Sequence, residues 1–396
     1  MRRRSFLVAI LLLIVAGLII SLRWQRSRFP LPAAVPHRPQ LVIVIIIDQF
    51  PNDYLDRFRP YFVARGFNML LSGARFTTCR YNYAINSTGP GHATLATGAY
   101  ADMHGIVGND WFDRSLARMV NCVEDANTKI VATDKGPADS PGASPHYLMN
   151  TTLGDELRMA SGFQARVVAV SLKDRAAVLS GGHTANAVYW YQTASGSFVS
   201  STYYMSALPS WVAKFNAHSP AGGYCGKGWQ ALPETPGAQG TFSQFAPGRG
   251  EPCPDPRFLE WLNSTPYMNE IELDFALAAI RNEHLGQGPA TDLLTISLSA
   301  NDYVGHAFGP YSPQVSDTTL RTDRALADFF TKLDQTVGLG NVWIALSADH
   351  GVAPTPQFIR EHHLGLGLFT GTGLKDSIEA ALVSRPKRFE EKTDSP

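Results

Sequence analysis

Three apolar segments of this sequence each lead directly to side chains that could bind a metal ion. Asp48 follows LVIVIII, Asp302 lies shortly after DLLTISL, and Asp349 with His350 follows VWIALSA. Because the carboxyl ends of parallel strands open onto one edge of a sheet, these distant side chains can meet in one site. Carboxylate oxygen with imidazole nitrogen suits Zn²⁺, and suits Mn²⁺ or Fe less specifically. Alone, Asp48 could instead cap a helix beginning near Pro51, but the three strand ends together predict a metal site.

A further histidine can join Asp302. Asp302 and His306 are four residues apart in NDYVGHAFGP, so both side chains lie on one side of a helical turn. This spacing alone is weak, because an aspartate often caps a helix and a histidine often packs in a core. Beside the other strand ends, it indicates further metal ligands.

A hydroxyl pair precedes a glycine-rich turn in YNYAINSTGPGHATLATG. Ser87 and Thr88 come before Gly89-Pro90-Gly91 and a helical stretch that begins near His92. Backbone N–H groups and the helix dipole favour an anionic ligand and a deprotonated nucleophile there. Either hydroxyl could instead be only an N-cap. A metal at Asp48 would lower the pKa of a bound hydroxyl and make it a nucleophile.

The elements that must position these residues are strands that are apolar on both faces and alternate with helical patterns. This arrangement predicts an α/β fold with a doubly wound, mostly parallel sheet covered by helices. Residues 184–256, rich in Gly, Ser, Tyr and Trp, predict a cap insertion over the strand ends. The predicted strands are 41–47, 165–171, 292–298 and 342–347, and the predicted helices include 269–282 and 318–334.

The first 39 residues indicate export. An apolar run over 6–22 is flanked by arginines and followed by a Pro-rich linker, as in an export signal. Its length is near the lower limit of about 17–25 residues for a bilayer span, and no convincing cleavage site follows it. An uncleaved anchor in the inner membrane is favoured over a cleaved peptide, with a periplasmic or otherwise extracytoplasmic catalytic domain over 40–396.

The charge balance and the cysteines of the sequence indicate which partners and which compartment to expect. Lys plus Arg equals Asp plus Glu at 34 each, so no basic surplus indicates nucleic-acid binding. The four cysteines lack zinc-binding spacing and are compatible with two disulfides in an exported protein, although four cysteines can pair in three ways. Their order in the sequence favours Cys79 with Cys122 and Cys225 with Cys253.

Six ordered motifs together resemble the alkaline phosphatase superfamily, most closely its bacterial PafA-type alkaline phosphatases, which use two zinc ions and a threonine nucleophile. The resemblance covers about residues 40–365. The motifs are IIIDQF, NSTGPGHATLATG, HGIVGNDWFD, VVAVSLKDRAAVLSGGH, NDYVGHAFGP and ALSADHG.

The resemblance implies roles for the residues singled out above. Thr88 would attack phosphorus and also bind one zinc ion, and Asn109 would hold a phosphoryl oxygen. The ligands that the resemblance implies are Asp48, Thr88, Asp349 and His350 for one zinc, and Asp302 and His306 for the second.

The pair Lys173 and Arg175, in SLKDR, bears on the substrate class. Two residues apart in an extended segment, they would point toward a shared anion. A phosphate monoester carries about two negative charges and a third non-bridging oxygen that such a pair can hold. The related nucleotide pyrophosphatase/phosphodiesterase branch lacks the pair, so a monoester is favoured. The alternative is a solvated charge pair.

One departure from the family pattern leaves alternatives open. Family members supply a third ligand to the second zinc from a far-downstream histidine, whereas only His362 and His363 follow His350 here. Either the sequence is truncated or another group substitutes, and the second zinc is expected to bind more weakly.

The leading hypothesis is a zinc-dependent alkaline phosphatase acting on small phosphomonoesters. The alternatives are a phosphodiesterase on the same fold and an inactive anchored binding protein.

Overall fold

The structure is a computed structural model that describes residues 38–133, 141–245, 252–365 and 371–383. The predicted anchor over 6–22 lies outside these residues. Within the described ranges, no helix combines the length and the apolar character needed to cross a membrane.

The strands in the described residues build one large sheet and two small hairpins. Their bounds are β1 Leu41–Ile47, β2 Asp110–Asp113, β3 Arg118–Asn121, β4 Glu124–Val131, β5 Pro141–Ala143, β6 Val167–Ser171, β7 Ala187–Gln192, β8 Ser197–Ser201, β9 Trp229–Gln230, β10 Thr241–Ser243, β11 Asp292–Leu298 and β12 Val342–Ser347. The large sheet has the order β12-β1-β11-β6-β7-β8-β4-β5. Its first five strands are parallel, and β8 reverses direction against β7.

The described helices are α1 Asp53–Arg57, α2 Phe67–Leu71, α3 Thr88–Thr97, α4 Ala101–His104, α5 Leu153–Ala160, α6 Asp174–Gly181, α7 Ser210–Ala217, α8 Pro256–Asn263, α9 Tyr267–Asn282, α10 Ala300–Phe308, α11 Pro313–Thr336, α12 Pro356–Glu361 and α13 Gly371–Val383. The longest, α9 and α11, pack on one face of the sheet against the larger apolar core. Side chains of α3 and α6 pack in a second core on the other face. The predicted doubly wound α/β fold is therefore confirmed.

The register of the central strands sets the position of the site. Strand β1 lies between β12 and β11, with Ile47 opposite Leu298 and Ile46 opposite Ser347. The three strands consequently end at the same level. The residues that follow them in the sequence emerge side by side at the carboxyl edge, where open α/β sheets bind ligands.

The predicted cap insertion over 184–256 includes residues of the sheet itself. Strands β7 and β8 lie within this range and pair with each other and with β6. The remainder of the described range contributes α7 and the hairpin of β9 and β10. The limits of a cap within it stay a prediction.

Only one of the two favoured disulfides forms. Cys225 and Cys253 are bonded, whereas Cys79 and Cys122 are free, so that pairing was wrong. Cys79 is exposed, while Cys122 is fully buried in the second apolar core. Cys79 and Cys122 cannot form a disulfide here because one thiol is at the surface and the other is in the core. The order of cysteines in a sequence does not show this difference.

Candidate active site

Neighbouring strands present carboxylates at the carboxyl edge of the sheet. Asp48 follows β1, Asp302 lies in the first turn of α10 after β11, and Asp349 follows β12. Asp48, Asp302 and His350 each offer one ligand atom, and these atoms lie within 4.8 Å of one another. All three residues are buried. The structure thus brings together the strand ends that the sequence selected.

His350 lies among the carboxylates, and His306 lies at their margin. The Nε2 atom of His350 is 3.3 Å from Asp48 Oδ1, 3.9 Å from Asp302 Oδ1 and 3.6 Å from Asp349 Oδ2. His306 Nε2 is 3.1 Å from Asp302 Oδ1, and its side chain is 71% exposed. His350 therefore lies near carboxylates of both implied zinc sites, whereas His306 contacts Asp302.

Lys173 contacts both groups of candidate ligands. Its Nζ atom lies 2.7 Å from Asp48 Oδ2, 2.5 Å from Asp302 Oδ2 and 3.4 Å from Thr88 Oγ1. Burial lowers the pKa of Lys173, but the charges of Asp48 and Asp302 outweigh burial and hold its pKa above the usual range. Burial raises the pKa of Asp48, but the charge of Lys173 and the nearby imidazole of His350 hold this pKa below its usual range.

The donor set fits a divalent cation. Asp48 Oδ1 and Asp349 Oδ2 are buried and accept no hydrogen bond, although histidine nitrogens lie 3.3 Å and 3.2 Å away. Buried carboxylate oxygens normally have hydrogen-bond partners or coordinate metals. Oxygen donors beside the imidazole of His350 are the ligand types found at zinc sites.

Thr88 begins helix α3, with Ser87 at the N-cap position. Ser87 makes no side-chain cap bond, and its Oγ has no hydrogen-bond partner. Thr88 is 2% exposed, and its hydroxyl faces Lys173. Asn109 is fixed beside it, because the Gly89 N–H donates to Asn109 Oδ1 at 2.7 Å. The structure therefore gathers Thr88, Asn109 and Lys173 around one helix N-terminus.

Arg175 offers an unsatisfied donor. Lys173 is the extended N-cap residue of α6, whereas Arg175 lies in the first turn of that helix. The prediction that both residues lie in an extended segment therefore holds for Lys173 only. The buried Nε of Arg175 has no hydrogen-bond partner, and the nearest Asp174 oxygen is 3.9 Å from its Nη1. A buried guanidinium N–H in this state suits an anionic ligand.

Two contributors to the site were not identified from the sequence. His92, in α3 and fully buried, places Nδ1 2.8 Å from the Thr88 carbonyl oxygen and 3.2 Å from Asp349 Oδ2, with Nε2 2.8 Å from Ser297 Oγ. Its two oxygen neighbours assign the proton to Nδ1. Gln49 contacts Asp302 and Asp349. Both residues lie in quoted motifs, but their contacts depend on tertiary packing.

The two downstream histidines lie outside the candidate metal group. His362 is exposed and stacks on Phe358 at a centroid distance of 3.8 Å. His363 is also exposed. Within the described ranges, the candidate metal group contains neither residue.

Gly91→Ala tests the close approach of α3 to Asp349. A Cβ at Gly91 would clash with the carbonyl oxygen of Asp349. We expect the substitution to lower the free energy of unfolding by about 1–3 kcal/mol, as overpacking does, and to weaken zinc binding because Asp349 must move. Thermal denaturation and zinc titration measure both effects. Gly288→Ala, at a position with open space, should leave both unchanged. Equal behaviour of the two variants would contradict the prediction.

Metal binding should depend on pH through His350. Burial lowers its pKa, but the adjacent carboxylates of Asp48 and Asp349 outweigh burial and raise the pKa to about 9. Zinc requires a neutral imidazole, so affinity should rise about tenfold per pH unit toward that value and then level off.

The metal-free protein should show the opposite trend. The folded-state pKa of His350 lies above the ordinary value of about 6.5, so its stabilising contribution is complete below that value and is lost as pH rises through about 9. Calorimetric zinc titrations and melting curves across this range measure both trends. An affinity for zinc independent of pH would count against His350 as a ligand.

Comparisons with known proteins show which family the chain resembles. A family model described as type I phosphodiesterase / nucleotide pyrophosphatase matches residues 42–373. The sequence is 42% identical over 352 residues to the alkaline phosphatase PhoV of Synechococcus elongatus, covering 85% of this chain and 62% of that protein. It is 38% identical over 367 residues to the alkaline phosphatase PafA of Elizabethkingia meningoseptica, covering 89% and 66%.

A solved structure is also similar. The crystal structure of wild-type alkaline phosphatase PafA aligns with a TM-score of 0.78 at 36% identity, covering 88% of this chain and 69% of that chain. The chain spans slightly less than two thirds of the length of the two curated relatives.

Proposed function

Because this chain belongs to the type I phosphodiesterase / nucleotide pyrophosphatase family, we propose that it is a zinc-dependent phosphate monoester hydrolase, an alkaline phosphatase. One observation carries the proposal. The buried Thr88 hydroxyl, at a helix N-terminus, lies 3.4 Å from the ammonium of Lys173, which contacts Asp48 and Asp302. The alkaline phosphatases among the similar proteins support this reading.

The carboxylates and histidines would hold two zinc ions. We assign Asp48, Thr88, Asp349 and His350 to one and Asp302 with His306 to the other. When bound, such ions lower the pKa of a hydroxyl and stabilise charge on attacking and leaving oxygens. The unpartnered oxygens of Asp48 and Asp349 support the first assignment.

Thr88 supplies the nucleophile. Its Oγ1 forms a bond to phosphorus while the bond to the ester oxygen breaks, and the alcohol leaves with a proton. Water then attacks the phospho-threonine, releasing phosphate and restoring the hydroxyl. The helix N-terminus supports the negative charge that accumulates beside Thr88.

Lys173, Arg175 and Asn109 would bind the non-bridging oxygens. The buried ammonium of Lys173 faces Thr88, and the unpartnered Nε of Arg175 offers a second positively charged donor. A monoester dianion uses both cations, whereas a diester carries an organic group on one of those oxygens. This difference favours monoesters over diesters.

Rates on matched nitrophenyl substrates test the proposal. Purified protein with measured zinc content should hydrolyse the phosphate monoester faster than the diester. Faster diester hydrolysis would favour a phosphodiesterase on the same fold. Protein that binds no zinc and hydrolyses neither substrate would favour the inactive binding protein.

We also propose that the catalytic domain lies outside the cytoplasm, anchored through residues 6–22. The disulfide between Cys225 and Cys253 supports an oxidising compartment. Fractionation of cells expressing the full chain should place it in membranes, with the catalytic domain accessible to protease from the periplasmic side. Recovery in the cytoplasm would contradict this proposal.

A further inference from the structure

Gln49 donates hydrogen bonds to two carboxylates of the candidate site, those of Asp302 and Asp349. It follows Asp48 at the end of β1, the strand that lies between β12 and β11. Its side chain is buried, and its backbone has a φ of 56°. This left-handed conformation costs about 1–2 kcal/mol for a residue with a Cβ. The surrounding contacts must therefore maintain it.

The two polar donors of Gln49 reach carboxylates on opposite sides of Asp48. Its backbone N–H donates to Asp349 Oδ1 at 3.1 Å, on the β12 side. Its side-chain Nε2 donates to Asp302 Oδ1 at 2.8 Å, on the β11 side. One residue thus links a carboxylate assigned to one zinc with a carboxylate assigned to the other.

A glycine in the facing helix leaves the room that this arrangement needs. Any Cβ at Gly305, in α10, would overlap Gln49 Oε1. The same Oε1 is buried and has no hydrogen-bond partner. The amide is therefore held by packing on one side and by its bond to Asp302 on the other, which restricts the carboxylate orientation.

We propose that Gln49 is a positioning residue that fixes Asp302 relative to Asp349 and thereby sets the zinc affinity of the Asp302 site. The inference rests on the proposed zinc-dependent function. Groups that hydrogen-bond metal ligands commonly change metal affinity about 10- to 100-fold when they are removed.

Two substitutions separate the roles of the side chain and the backbone. Gln49→Gly keeps the N–H that bonds Asp349 and suits the positive φ, but it removes the bond to Asp302. Gln49→Met keeps a similar length and removes the amide, of which only the Nε2 donor makes a hydrogen bond. Titration with Zn²⁺ should show the weaker of two sites weakened about 10- to 100-fold in both variants, with the tighter site nearly unchanged. Gln164→Met, at an exposed glutamine, is the control.

A substitution in α10 tests the same hydrogen bond between Gln49 and Asp302. Gly305→Ala should displace the Gln49 amide and reproduce the loss of zinc affinity. In the Gln49→Gly variant no side chain is left for the new Cβ to displace, so Gly305→Ala should reduce zinc affinity much less in that variant. A double-mutant cycle measures this difference. Additive effects, or native affinity at both sites in Gln49→Met, would overturn the inference. Native protein that binds no zinc would overturn the proposed function as well, so the two failures are distinguishable.

Discussion

Thr88→Ala is expected to abolish the phosphorylated enzyme and to reduce turnover by about 10⁴-fold or more, as loss of a nucleophile does. The substitution removes a hydroxyl that is buried, begins helix α3 and lies 3.4 Å from Lys173 Nζ. Quenched-flow labelling with a phosphorylated substrate measures the intermediate directly, and steady-state rates measure turnover. Thr88→Ser, which keeps a hydroxyl, should retain labelling.

Ser87→Ala is the matched control for this experiment. Ser87 precedes Thr88 and its Oγ makes no hydrogen bond, so its removal should leave labelling and turnover close to native. If Thr88→Ala traps label at native yield while Ser87→Ala traps none, the nucleophile is Ser87. That result would leave the carboxylate and histidine ligands in place but reassign the chemistry to the N-cap residue.

The sequence was sufficient to predict four of the parallel strands, β1, β6, β11 and β12, and the edge at which the candidate site forms. Strand β1 was predicted over its exact range, because an uninterrupted apolar run implies a strand buried on both faces. Asp48, Asp302 and Asp349 could be placed together because parallel neighbours end at one edge. These inferences need only the pattern of the chain and the geometry of a parallel sheet.

Contacts that depend on side-chain packing could not be predicted in the same way. Lys173 forms ion pairs with Asp48 and Asp302. These contacts depend on the register of β6 against β11, in which Ser171 lies opposite Ser297. The contacts of Gln49 require a left-handed backbone, and no local pattern indicates that conformation. Sequence spacing indicates which elements are neighbours, but the atoms that touch depend on register and packing.

Lys173→Ala combined with Arg175→Ala should slow monoester hydrolysis far more than diester hydrolysis. Each contact to a charged oxygen is worth about 10²- to 10³-fold in rate, with coupling between the two residues. The dianion can use both cations, whereas the diester has an organic group at one of those positions. Single and double variants, each assayed on both nitrophenyl substrates, measure the individual and coupled losses. Exposed Lys129 and Arg281, changed to alanine, provide matched controls.

Lys173→Ala should have a second effect that Arg175→Ala lacks. In the metal-free protein its ammonium lies between Asp48 and Asp302, and removing one partner of a buried ion pair costs about 3–5 kcal/mol. The metal-free variant should therefore melt earlier than native protein, and zinc should recover most of the difference because its charge replaces the ammonium. Equal losses on both substrates, together with no recovery by zinc, would mean that Lys173 supports the fold and does not bind the monoester.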